Sequence, residues 1–181
     1  MIILITGASH TGKTFLAQRL LKKFKYPYMS IDHLKMGLIR SGKTSLTPED
    51  DDKLTEYLWP IVREIMKTAI ENQQNMIVEG CFIPPDWRKD FDEPYLQSIL
   101  FVCLAMSDAY IDTHFDAILK HSCEIEKRLP DSHYTPDSLK ADNHYYMSAF
   151  ARNGEQVTLI DSSYEKTIRT LIKALDATRQ K

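Results

Sequence analysis

The sequence predicts a three-layer α/β/α sandwich around a five-stranded parallel sheet. Three observations carry the prediction. Five short apolar runs punctuate the 181 residues. Segments with apolar side chains at helical spacing separate them, the alternation that builds parallel sheets with right-handed crossovers. A glycine-bearing turn links the first run to the first helix. No internal repeat or low-complexity segment interrupts the pattern, and a chain of this length buries about 70% of its unfolded surface without a disulfide or metal staple. Residues 1–181 are read as one domain with a helical lid inserted at about 120–154.

Each element has its own reason. Residues 2–5 are wholly apolar, the mark of a strand covered on both faces. Over residues 14–24, Phe15, Leu16, Leu20 and Leu21 share one helix face, and Lys22, Lys23 and Lys25 gather where the helix dipole favours cations. Residues 26–32 are expected as a second strand, and 33–39 as a helix stopped by Ser41-Gly42. Thr47-Pro48-Glu49-Asp50 reads as a helix start, with a hydroxyl cap, proline at the first helical position and then acids. That helix should run to Asn72, bury Leu54, Leu58, Ile61, Ile65 and Ala69, and bend at Pro60. Residues 75–80 and 98–104 are the third and fourth strands, and Ser107 caps a helix bearing Ile111, Phe115 and Ile118. Residues 156–160 form the fifth strand, and 163–177 a final amphipathic helix. The stretch from Lys120 to Gly154 is wetter, with few long apolar side chains.

Composition excludes several function classes. Lys and Arg number 23 against 25 Asp and Glu, a net charge of −2, which argues against a surface coated for nucleic acid or anionic membrane. Cys81, Cys103 and Cys123 are too few and too scattered for a disulfide framework or a cysteine-rich zinc site, and their odd count fits a reducing compartment. His114, His121, Cys123, His133 and His144 match no zinc spacing and are read as surface residues. No basic segment precedes the first apolar run, and no run approaches the roughly 20 residues of a membrane helix, so the expected location is the cytoplasm.

The strongest signal is Gly7-Ala8-Ser9-His10-Thr11-Gly12-Lys13-Thr14, a gapless G-x-x-x-x-G-K-[ST] between a buried strand and a helix. Glycines at its ends permit backbone angles that turn successive N–H groups inward onto phosphate oxygens. The helix that begins near Lys13 adds its unpaired N–H groups. The phosphates are expected against residues Gly7, Ala8, Ser9, His10, Thr11, Gly12, Lys13, Thr14 and Phe15, with His10 and Thr11 as loop fillers. Lys13 places a charge on the outer phosphates, and Thr14 offers a hydroxyl to Mg²⁺.

With this motif in this setting, the chain resembles the P-loop kinases of small molecules and nucleotides over its whole length. That group includes adenylate, shikimate, gluconate and 2-phosphoglycerate kinases and the zeta toxins. The resemblance implies a nucleoside/nucleotide kinase-like P-loop NTPase fold, ATP and Mg²⁺ as cofactors, and a small-molecule or nucleotide acceptor. With the charge balance and the absence of a long apolar run, no nucleic-acid or membrane partner is expected, and protein partners stay open.

The acceptor side is read from local matches. Asp32, expected at the end of the second strand, is either the carboxylate that takes or orients a hydroxyl proton or the cap of the next helix. Arg40, in Gly-Leu-Ile-Arg-Ser-Gly, is similar to the arginine of the adenylate kinase nucleotide-monophosphate helix and suits a phosphate or carboxylate, or is solvated, with Lys35 as its more dispensable neighbour. Glu79-Gly80 closes the third strand as P-loop kinases do, with the acid toward a metal-bound water or the acceptor, or simply exposed. Adenylate kinases continue Asp-Gly-Phe-Pro-Arg. Here Gly80, Phe82, Pro84 and Arg88 recur in order with insertions, so AMP is not implied as acceptor, and Arg88 is read as substrate-binding or surface.

Arg128, with Arg152 and Lys127 behind it, is the lid residue expected to neutralise the transferring phosphoryl group. Asp161 follows the fifth strand, where this fold edges the base, or caps the final helix. The alternative to a kinase is a P-loop ATPase or nucleotide-dependent switch acting on a partner. A member that binds without turnover is disfavoured by the intact Lys13 and Thr14.

Overall fold

Every residue of β1 (Ile2–Gly7) is buried, as an apolar run covered on both faces must be. The structure is a computed structural model that describes residues 1–121 and 134–179. The elements that follow are α1 (Lys13–Phe24), β2 (Tyr28–Ser30), α2 (Ile31–Arg40), α3 (Asp51–Glu71), β3 (Met76–Glu79), α4 (Glu93–Leu96), β4 (Ile99–Met106), α5 (Asp108–His121), α6 (Pro136–Arg152), β5 (Val157–Ile160) and α7 (Tyr164–Arg179). A 3₁₀ turn spans Trp87–Asp90. The sheet is five-stranded and parallel in the order β2-β3-β1-β4-β5, flanked by helices as a three-layer sandwich. No helix among the described residues is long and apolar enough to cross a membrane.

The chain divides into two compact units, Met1–Thr6 with Ala17–Phe101, and Gly7–Leu16 with Val102–Lys181. In the first, β3 registers Glu79 against Ile5 of β1 and against Ser30 of β2, so one level of the sheet carries all three. Residue Ser30 is the extended N-cap of α2, and Asp32 lies one residue inside that helix. The second strand is therefore shorter than the expected 26–32. Asp32 neither ends it nor caps the helix; it takes the first-turn position, where the dipole favours an acid. Gly42 stops α2 as expected, with a positive φ of 70° and its N–H on the Ile39 carbonyl.

Helix α3 begins three residues later than the Thr47-Pro48 motif predicts. Asp50 is its N-cap, and Thr47 to Asp50 forms a turn instead. The Thr47 amide and hydroxyl both donate to the Asp50 carboxylate, at 2.9 and 3.0 Å, and these bonds hold that carboxyl below its ordinary range. Proline suits the second position of such a turn as well as the start of a helix, so the motif alone could not decide. The buried stripe is Leu54, Leu58, Val62, Met66 and Ala69, not one through Ile61 and Ile65. Pro60 lies inside the helix, whose span is unbroken from Asp51 to Glu71. Trp59 beside it buries its ring and donates its indole N–H to Asp90 at 2.7 Å.

The second unit is organised by α6. Thr135 caps it with a reciprocal capping box to Ser138, and Pro136 opens it. Leu139 joins Met106, Ile111, Ile118 and Ile160 in one apolar cluster, with Tyr110, Phe115, Tyr134 and Tyr164 packed around it. Of the segment expected as a lid, residues 136–152 are this helix, and 122–133, including Cys123, Lys127, Arg128 and His133, lie outside the described residues.

Candidate active site

The loop after β1 is built by its own backbone constraints. A Cβ on Gly7 would lie 2.2 Å from the Leu104 carbonyl oxygen, and the φ there is +145°, so only glycine lets the chain turn away so close to β4. The Ala8 amide donates to that same Leu104 carbonyl at 3.1 Å. His10 follows at φ 62° and Gly12 at φ 77°, two left-handed residues that curl the chain before α1. Thr11 is buried, and its hydroxyl donates to the Ala8 carbonyl at 2.8 Å.

Side chains from distant parts of the sequence then brace the loop. The Tyr164 hydroxyl, at the start of α7, donates to the Gly12 carbonyl at 3.1 Å, and its ring lies 6.0 Å from that of Phe15. The edge of His10 meets Tyr134 at 4.5 Å between centroids. The Ser9 amide donates to the Asp142 carboxylate of α6 at 2.6 Å. Next to Asp142, Asn143 is fully buried; it accepts from the Met106 amide at 2.6 Å and donates to the Leu139 carbonyl at 2.7 Å.

Lys13 is folded over the loop rather than extended into water. It is 7% exposed, and its ammonium donates to the Gly7 and Ala8 carbonyls at 3.0 and 2.8 Å. The charge is therefore held against the backbone of the loop itself. Burial pushes the nearby Cys103 thiol up to about 12, with the Lys13 charge opposing and the Glu155 charge reinforcing. Thr14 occupies the first turn of α1, half-buried.

In the first unit the ends of β2 and β3 bring side chains together. Glu79 is 1% exposed and accepts from the Tyr28 hydroxyl at 2.7 Å. Tyr28 lies edge-on to His33 at 6.5 Å. Asp32 pairs with Lys35 at 2.7 Å, and Lys35 also sits over the Phe82 ring at 4.7 Å. Gly80 is buried, and a Cβ there would strike that of Ile31 at 2.8 Å, so its small size serves packing against α2. Arg40 is exposed at the end of α2, and Arg88 stacks its guanidinium on Trp87 at 4.8 Å. Thus Asp32 pairs with Lys35 within α2, Glu79 meets Tyr28 at the strand ends and Gly80 packs on Ile31, while Arg40 lies at the last turn of α2 and Arg88 on the Trp87 ring.

Sequence reasoning missed Tyr28, Asp142, Asn143 and Tyr164. Only α6 left a local signal. Thr135-Pro136-Asp137 has the same opening as Thr47-Pro48-Glu49, and here it is a true cap. No group of three or more potential metal-ligating side chains occurs among the described residues.

No protein-family model matches the sequence, and no curated protein matches it by sequence. Solved structures do. The chain is similar to a sugar kinase from Janibacter sp., at 16% identity and a TM-score of 0.57, covering 97% of this chain and 94% of that one. It is similar to deoxyadenosine kinase from M. mycoides, solved with the products dCMP and dCDP, at 15% identity and 0.55, covering 98% and 100%. It is similar to shikimate kinase from Aquifex aeolicus, at 14% identity and 0.53, covering 99% of each. The chain has the fold of the P-loop small-molecule and nucleotide kinases.

Proposed function

We propose that this protein is a kinase that transfers a phosphoryl group from ATP, with Mg²⁺, to a small-molecule or nucleotide acceptor. The observation that carries the proposal is the loop itself: glycine-dependent turns at Gly7 and Gly12, amides curled before a helix N-terminus, and the Lys13 ammonium held at 3.0 and 2.8 Å from the loop's own carbonyls. Residues 7–15 seat the phosphates, and Lys13 neutralises charge on the outer ones. The Thr14 hydroxyl serves as a metal ligand, and Glu79 serves the metal or the acceptor. Mg²⁺ would supply charge neutralisation between phosphate oxygens.

Asp32 accepts the proton of the acceptor hydroxyl as the bond from the terminal phosphorus to ADP breaks and the bond to the acceptor oxygen forms. Gly80, Arg40 and Arg88 are assigned to acceptor binding, and Arg128 to neutralising the moving phosphoryl group. The substrates named by the similar structures (shikimate, sugars, deoxyadenosine) support a small acceptor. In the same reading the protein works in the cytoplasm, free of nucleic acid and membrane.

A coupled ADP-release assay over a panel of sugars, hydroxy acids and nucleosides, and their phosphates, tests this. Turnover should rise sharply with one acceptor class, and Lys13→Ala should reduce it by about a hundredfold or more. ATP use that ignores every acceptor but responds to a protein would favour the switch reading. Unchanged turnover in Lys13→Ala would remove the loop from the chemistry.

A further inference from the structure

The Ser9 amide is one of the loop N–H groups, and in this structure it is bound by an anion that belongs to the protein. Its acceptor is the Asp142 carboxylate, 2.6 Å away and contributed from 133 residues further along the chain. A carboxylate oxygen and a phosphate oxygen make the same demand on such a donor, a short charge-assisted bond. Both ends of this contact lie in one compact unit. The contact is also fixed in place: the neighbouring Asn143 is fully buried and holds α6 to the Met106 amide at 2.6 Å. Asp142 is half-exposed and makes no ion pair with the described residues, so its charge is not neutralised by a described partner.

From this we infer that Asp142 is an internal occupant of the phosphate cradle that trades places with the terminal phosphoryl group of a bound nucleoside triphosphate. The inference rests on the phosphate-loop reading above. A triphosphate brings several negative charges to the loop, and at a few ångströms each repels a fixed carboxylate appreciably even in a partly solvated site. Binding must therefore displace the Asp142 side chain from the Ser9 amide, and release of the phosphorylated end lets it return. Asp142 sets how strongly the loop prefers an empty mouth over a filled one, and so discriminates among nucleotides by phosphate number. Exchange at Ser9 also couples the nucleotide to α6, which no other contact of the loop with that helix is needed to explain.

The test is calorimetric titration of the full chain and of Asp142→Ala and Asp142→Asn with adenylyl imidodiphosphate, ADP and AMP, each with Mg²⁺. Asp142→Ala should bind the triphosphate analogue on the order of tenfold more tightly than the unaltered protein, ADP by a smaller factor, and AMP unchanged. Asp142→Asn keeps the side-chain shape and an acceptor oxygen without the charge, and should tighten binding in the same order. Thermal melting of all three proteins shows that each is folded. If Asp142→Ala were to lose its fold, Asp142→Asn alone decides. Binding in the unaltered protein with no tightening in the folded variants, or equal tightening for all three nucleotides, overturns this inference and leaves the kinase reading standing. Failure of every protein to bind any nucleotide overturns both.

Discussion

In the loop 7–14 the polar atoms that matter belong to the main chain, whereas at the ends of β2 and β3 they belong to side chains. Around the loop, Thr11, Lys13, Asp142 and Tyr164 all bond to backbone groups, the first two to carbonyls at 2.8–3.0 Å. At the strand ends, Tyr28 bonds to Glu79, Asp32 to Lys35, Lys35 stacks on Phe82 and Arg88 on Trp87. A backbone cradle demands particular residue types at fixed spacing, because only certain φ angles form it. A side-chain cluster demands only that its members meet, which many sequences can satisfy. Under the proposed kinase reading, the first kind of site is conservative in chemistry, and the second is where an acceptor would be chosen.

The contrast breaks most severely at Gly7. Gly7→Ala places a methyl group 2.2 Å from a β4 backbone oxygen at a φ of +145°, and neither atom has a flexible end to yield. It should destabilise the protein by about 3 kcal/mol or more in urea denaturation, with loss of nucleotide binding. A wild-type midpoint would show that the loop does not need its glycine.

A smaller and more selective effect is expected at the other end. Asp32→Asn should lower acceptor-dependent kcat by about a hundredfold while the affinity for a triphosphate analogue stays within twofold. Equal damage to nucleotide affinity would dissolve the division between a backbone end and a side-chain end.

The smallest effect compares two thiols. Cys103 lies buried on β4 behind the loop, and Cys81 lies half-buried just past β3. Because burial raises Cys103 to about 12, only about one molecule in ten thousand carries its thiolate at pH 8. Peptide mapping after iodoacetamide at pH 8 should find Cys81 modified and Cys103 intact until the chain unfolds. Early labelling of Cys103 would mean that β4 opens beneath the loop.

The same contrast explains what was legible in the sequence. The apolar runs and the motif from Gly7 to Thr14 are local, and they placed the sheet and the loop. Thr47-Pro48 and Thr135-Pro136 show the limit of local reading. The two openings are alike, but the first is a turn closed on Asp50 and the second is a genuine cap. Which it becomes depends on the fourth residue's side chain and on what the following helix buries. Asp142 and Tyr164 touch the loop across 133 and 152 residues, and no spacing rule spans such distances. The sequence marks Asp32 as an acid near the strand ends, but its place inside α2 depends on Ser30 leaving the sheet at the level of Glu79.

The central claim is that the loop amides and Lys13 grip a nucleoside triphosphate. It is tested most directly by a crystal structure grown with Mg²⁺ and adenylyl imidodiphosphate. The account predicts phosphate oxygens against the amides of residues 9–14, Lys13 drawn off the Gly7 and Ala8 carbonyls toward them, and Asp142 turned away from Ser9. Phosphates lodged elsewhere, with Lys13 and Asp142 still bonded as they are here, would contradict it.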